Sequence, residues 1–186
     1  MNMNKQSGFT LVEIAIVLVI IGLLLGGVLK GQEMIKNAEI KNFINDMNGL
    51  SAAMHTYRDR YQALPGDDNR ATTHLAGVAG MANGNGNGRI TGGERTEFYD
   101  HLRGAGIIKG TGNSRPTHAL GGIISIDDAQ WGMRGVLFCA NNVNGANALI
   151  IDTKVDDGVA NTGSVRAGTS AAYGPTATYN QLCFQG

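Results

Sequence analysis

The chain has 186 residues, with 28 glycines, 15 Lys+Arg balanced by 15 Asp+Glu, and two cysteines. Zero net charge argues against a partner held through phosphates, which needs a clustered basic surface, so no direct nucleic-acid binding is expected. The glycines show no period of three, which excludes a collagen-like chain. A hydrophobic content of 42% argues against full disorder.

The apolar residues concentrate at the N-terminus. From Phe9 to Leu29 only Thr10 and Glu13 are polar. As a helix rising ~1.5 Å per residue, this run spans about 30 Å, the thickness of a bilayer's hydrocarbon core. Lys5 precedes it and Lys30 closes it. A secretory signal peptide would have a shorter apolar run and a small-residue cleavage site after it. Here Lys30-Gly31-Gln32-Glu33 follows instead. Helical patterning then continues: Ile40, Phe43, Ile44, Met47, Leu50, Met54, Tyr57 and Tyr61 recur at steps of three or four. That is one apolar face of a helix. Leu64-Pro65-Gly66 breaks the pattern. One helix from Phe9 to about Tyr61 is expected, its first half suited to lipid and its second to packing on a globular domain.

Glu13 is the anomaly in this run, because a carboxylate in a membrane helix costs a few kcal/mol unless it finds a partner. Gly8-Phe9-Thr10-Leu11-Val12-Glu13, behind a short leader containing Lys5, resembles the processing motif of type IV pilins and type II secretion pseudopilins. Glycine stands before the cut, phenylalanine after it, and glutamate at the fifth position of the trimmed chain. The resemblance covers residues 1–62 and weakens beyond. It implies cleavage between Gly8 and Phe9 by a prepilin peptidase and N-methylation of the new Phe9 amine. It also implies that Glu13 meets the Phe9 amine of a neighbouring subunit during filament assembly. Pairing would remove the cost of burying that carboxylate and fix the register of one helix against the next. Many pilins carry proline where this chain has Lys30. Gly22, Gly26, Gly27 and Gly31 lie in that region instead. They suit either local loosening of the helix or close packing of helices.

Three quarters of the glycines lie beyond residue 76, where the chain becomes short segments between Gly, Asn and Thr. Thr96 to Leu102 reads as a short helix ended by Gly104-Ala105-Gly106. Ile107-Ile108 reads as the start of a strand. Ile123–Ile126, Gly135–Cys139 and Ala148–Asp152 read as further strands. Trp131, the single tryptophan, reads as a core anchor. The expected fold is α+β: a long N-terminal helix, its first half transmembrane, packed on a small antiparallel sheet with a C-terminal disulfide-closed loop. The expected organisation is a leader over residues 1–8, a transmembrane and filament-core helix over 9–30, an amphipathic continuation over 31–62, and a glycine-rich head over 63–186.

Cys139 and Cys183 are either a disulfide or two free thiols. A location outside the cytoplasm favours the bond, and pilins commonly staple their C-terminal region, so the resemblance favours it too. Such a bond would tie down a stretch, Thr153 to Gln181, that has little apolar content of its own.

Asn83 to Glu94 fits the template of a calcium loop at every position except the first. Asn83, Asn85 and Asn87 would offer side-chain oxygens, Arg89 its carbonyl and Glu94 its carboxylate, with Gly88 at the turn. A single anionic ligand makes binding weak unless Asp67 or Asp68 reaches the site. The other reading is a series of Asn-Gly turns. A second cluster, Asp152 to Gly158, suits a turn or calcium. No cofactor is required by this sequence, and calcium is the one cation it suggests.

His55, His74, His101 and His118 show no metal spacing, and no nucleophile or phosphate-loop motif occurs, so no enzyme is expected. The expected function is that of a structural subunit of a type IV pilus-like filament. Its partners would be copies of itself, the prepilin peptidase and an inner-membrane assembly platform. It would wait in the bacterial inner membrane as a single-pass protein with a periplasmic head. After assembly it would lie in an extracellular pilus or periplasmic filament. The alternatives are a type II secretion pseudopilin and a membrane-anchored module that binds calcium or another ligand.

Overall fold

A computed structural model describes residues 10–186. Helix α1 spans Leu11–Tyr61, 51 residues. Contacts divide the chain into two compact units, Met1–Glu39 and Ile40–Gly186.

In the first unit, described from Thr10, α1 is long and apolar enough to cross a membrane. Its large apolar side chains are exposed, with Leu11 at 91%, Leu23 at 73% and Leu29 at 65%. Lys30 and Glu33 form an exposed ion pair at 2.8 Å on one helical face.

In the second unit the same helix becomes one-sided. Ile40, Phe43, Met47, Leu50, Ala53, Met54 and Tyr57 are buried, with Ile44 and Tyr61 partly covered beside them. This is the expected stripe, and Ala53 joins it by falling on the same face. The helix ends where Gln62 takes a left-handed conformation (φ 55°) and its N–H bonds the Arg58 carbonyl at 2.8 Å. Arg58 and Arg60 in the last turn complement the helix dipole.

A short helix α2 (Ala71–His74) and helix α3 (Glu94–Gly104) follow. Phe98, Tyr99, His101 and Leu102 form the buried face of α3. Strands β1 (Ile124–Gln130) and β2 (Met133–Ala140) make a hairpin. Strand β3 (Val143–Asn144) leads into helix α4 (Gly145–Val155). Strands β4 (Val165–Arg166), β5 (Thr178–Tyr179) and β6 (Leu182–Gln185) complete the order. One antiparallel sheet runs β1-β2-β6-β4, and β3 pairs with β5 in a second.

Both faces of β2 are covered. Phe138 and Ala140 point into the main core with α1 and α3, together with Ile124, Ile126 and Leu182. Leu137 and Cys139 point the other way, into a small cluster with Met133 and Cys183. Alternation along a strand sends neighbours to opposite faces, and here each face has a cover. Cys139 and Cys183 are directly opposed across β2 and β6 and are joined in a disulfide.

Three expectations are corrected. Ala148–Asp152 is helical, not a strand. The Asn144 side chain caps α4 by accepting the Asn147 N–H at 2.8 Å, and Ala148, Ile151 and Asp152 fall on one buried face. A short apolar run cannot by itself separate a buried strand from a helix. Ile107-Ile108 is irregular rather than a strand. Their N–H groups both turn back to the Leu102 carbonyl and close the end of α3. Trp131 is not in the main core; it lies half-buried against the disulfide cluster, at a tight turn where its φ is 45°.

Candidate functional site

Two regions carry the residues singled out by sequence. The first is the start of α1. Gly8 and Phe9 lie outside the described residues. Glu13 lies inside them and is already engaged. Its Oε2 accepts the Thr10 N–H at 2.8 Å and the Thr10 hydroxyl at 2.8 Å, while Thr10 Oγ1 accepts the Glu13 N–H at 3.3 Å. This is a capping box, in which Thr10 and Glu13 satisfy each other's backbone donors at the helix start. The T-x-x-E spacing is its sequence signal, and reading Glu13 only as an intermolecular partner passes over it. A carboxylate at this end of a helix also faces the positive end of the helix dipole.

The second region is the Asn-Gly loop and the segment beneath it. The structure brings Asp67, one of the two aspartates considered for this loop, against its backbone. Asp67 Oδ1 accepts the Asn87 N–H at 3.0 Å, and Oδ2 accepts the Gly88 N–H at 2.7 Å. Glu94 Oε1 accepts the Asn85 N–H at 3.1 Å, and Oε2 the Thr91 N–H at 2.9 Å. The amide oxygens are engaged in the same way. Asn85 Oδ1 accepts from Asn87 N at 3.0 Å and Asn87 Oδ1 from Arg89 N at 2.8 Å, two successive Asx turns. Asn83 Oδ1 reaches across to the Thr72 N–H at 2.9 Å. The side-chain oxygens offered to a cation therefore hold the loop's own backbone. The Arg89 guanidinium is turned to Asp128, with Nε at 2.9 Å.

The loop is also closed against the 66–68 turn by backbone contact. The Gly84 N–H bonds the Asp68 carbonyl and the Gly86 N–H the Asp67 carbonyl. A Cβ on Gly84 would strike the backbone of Gly66 and Asp67, so only glycine allows this approach.

Asp68 faces away from the loop. Its Oδ2 accepts the Tyr57 hydroxyl at 2.8 Å and lies 2.6 Å from His74 Nδ1; its Oδ1 accepts the Arg70 N–H at 2.8 Å. Burial raises the pKa of this carboxyl, but the hydrogen bonds from His74, Arg70 and Tyr57 outweigh burial and hold it below the ordinary range. Burial and then Asp68 push the Tyr57 hydroxyl up. Asp68 is thus a tie between α1 and α2. Its partners Tyr57 and His74 escaped the sequence reading because only the fold brings them together.

Residues 3–29 match the family model of the prokaryotic N-terminal methylation motif. This is the segment whose residues resemble type IV pilins and pseudopilins, so the chain carries a motif of that kind. The motif and the apolar helix that follows fit anchoring in the inner membrane. No curated protein and no solved structure matches the chain.

Proposed function

We propose that this protein is a structural subunit of a type IV pilus-like filament. It would be cut between Gly8 and Phe9 by a prepilin peptidase, methylated on Phe9, and drawn from the inner membrane by an assembly platform. The observation that carries this reading is the methylation motif over residues 3–29, joined to a helix whose apolar side chains are exposed from Leu11 to Leu29. Such a surface needs a cover, first lipid and then neighbouring copies of the same helix. Repetition of one head-to-tail contact that does not close gives a helical filament. The head of residues 40–186 would form the outer surface.

Glu13 would supply register. Its carboxylate is held at the helix start by Thr10, so an incoming Phe9 ammonium of a neighbouring subunit would meet an anion already positioned. The test is expression of Gly8→Val in a bacterium that assembles type IV pili, with intact-mass measurement of the product. The leader is expected to remain and Phe9 to stay unmethylated. A normally trimmed and methylated product would overturn the cleavage site. Filament yield of the wild-type chain, read by shearing and electron microscopy, tests the assembly claim; a fully processed chain that never leaves the membrane would overturn it.

A further inference from the structure

Asp152, Asp156 and Asp157 form a second carboxylate centre, on the far side of the head's sequence from the Asn-Gly loop. Each offers a carboxylate oxygen, and these oxygens all lie within 4.8 Å of one another. Asp152 projects from the last turns of α4 and is wholly buried. Its Oδ2 accepts the Tyr173 hydroxyl at 2.8 Å, but its Oδ1 is buried and makes no hydrogen bond. Buried acceptors left without a partner are uncommon and costly, and a buried aspartate that carries one and stands beside two further carboxylates points to a missing positive group. Among the described residues, none of the three aspartates takes part in a salt bridge. The guanidinium of Arg166 is committed to carbonyls, with Nε on Gly163 at 3.0 Å and Nη1 on Trp131 at 2.8 Å.

The backbone is folded around the same point. Asp156 Oδ2 accepts the N–H groups of Ser164 and Val165 at 2.5 and 2.9 Å. Asp157 is braced by Val159 N at 2.8 Å and Thr162 Oγ1 at 2.6 Å. Gly163 (φ 67°) passes so close that a Cβ there would run into the Asp156 carboxylate. These contacts explain how Asp156 and Asp157 are positioned. They leave the orphan oxygen of Asp152 and the uncompensated charge unexplained.

We propose that Asp152, Asp156 and Asp157 bind one divalent cation, with calcium preferred. The donors are all oxygen, which suits a hard cation and not zinc or copper. Calcium holds its ligands at about 2.4 Å, so donors on opposite sides of one ion stand about 4.8 Å apart. Three donor oxygens within 4.8 Å of one another are close enough to share a single ion, and the exposed side of Asp157 leaves room for water ligands. Magnesium demands shorter, octahedral coordination and binds less well in such a set. The ion would clamp the end of α4 to the loop leading into β4. This site does not depend on the filament reading.

The experiment uses the full chain in detergent, stripped with EDTA and then titrated with calcium chloride or magnesium chloride. One equivalent of calcium is expected by calorimetry, with a rise in melting temperature of roughly 5 °C or more at a hundredfold excess over Kd. Magnesium should give a smaller rise. Terbium should give emission sensitised by Tyr173, which contacts Asp152. Asp152→Asn keeps an acceptor for Tyr173 and should abolish the calcium response. Asp157→Asn, at an exposed position, should weaken binding about tenfold or more even if Asp152→Asn fails to fold. Asn85→Ala with Asn87→Ala should leave the response intact. No heat and no melting shift with millimolar calcium would overturn the proposal. Unchanged affinity in Asp157→Asn would also overturn it, as would loss of the response in the Asn85/Asn87 variant alone.

Discussion

Thr10 and Glu13 answer each other across the first turn of α1: each side chain accepts the other's backbone N–H, at 3.3 and 2.8 Å. The glutamate therefore has a role within its own chain, as half of the cap, that can be separated by mutation from the proposed role between chains. Thr10→Ala removes only the cap, at a cost of about 1 kcal/mol in helix stability. Glu13→Ala removes the cap and the anion. Filament yield is expected to stay near wild type in Thr10→Ala and to fall severalfold in Glu13→Ala. Equal yields in the two variants, read by pilus shearing, would show that Glu13 acts only as a cap.

The Cys139–Cys183 bond closes a span with a sequence separation of 44. In the chain-entropy model a loop of this size contributes roughly 3–4 kcal/mol. Cys139→Ser is expected to lower unfolding free energy by about that amount in a denaturant titration. Because the bond joins β2 to β6, amide exchange should rise first in β6 and β4. A loss below about 1 kcal/mol would mean that strand pairing alone secures these residues.

Asp67 supports two backbone donors, Asn87 and Gly88, with one carboxylate. Asp67→Ala leaves both without that acceptor. Loss of a charged acceptor costs about 2 kcal/mol. Hydrogen exchange should accelerate at residues 84 to 88 before any other part of the head opens. Asp67→Asn retains one acceptor oxygen and should fall between the two. Exchange that rises evenly across the head would contradict a local role.

His118 gives the head a pH dependence. It is buried edge-on against Phe43, with Nε2 at 2.9 Å from the Asn141 carbonyl and Nδ1 accepting the Leu120 N–H at 3.2 Å. The ring is therefore neutral with its proton on Nε2; a proton on Nδ1 would face the Leu120 donor. Burial lowers its pKa, although Asn141 and Asp46 act in the opposite sense. The unfolded chain then binds the proton more readily than the folded one, so stability rises with pH. The contribution is complete above the unfolded value of ~6.5 and is lost as pH falls through the lower folded value. The melting temperature should decline from pH ~7 to ~5, and His118→Gln should flatten that decline. An equal slope in both proteins would assign the effect to other groups.

The helix was legible in sequence because its period persists from Ile40 to Tyr61 and its breaker is strong. The α3 segment was legible from its helical spacing, and parts of β1 and β2 from short apolar runs, Ile123–Ile126 and Gly135–Cys139, though their pairing as a hairpin was not. Ala148–Asp152 was not, because a run of four apolar residues suits either a buried strand or a helix; the distinguishing mark was Asn144, four residues upstream of Ala148, acting as a cap. The very short strands β3, β4 and β5 left no periodic signal, since two residues cannot show a period. At the candidate sites, the sequence offered Asp67 and Asp68 alike as neighbours of the loop, and the use of Asp67 as a backbone acceptor depends on turns that composition does not encode. The Tyr57–Asp68–His74 contacts and the approach of Tyr173 to Asp152 join residues from different elements and loops, and only the fold makes them visible.

Strand β6 is the last of the sheet's strands in sequence and yet stands inside it, between β2 and β4. During synthesis, β1 and β2 emerge well before residue 182 arrives. For that interval β2 presents an open edge, able to pair with any other extended segment, including the same strand of another copy. The head should therefore be most prone to mispairing before its last few residues are made, and a chaperone that shields β2 would matter most in that window.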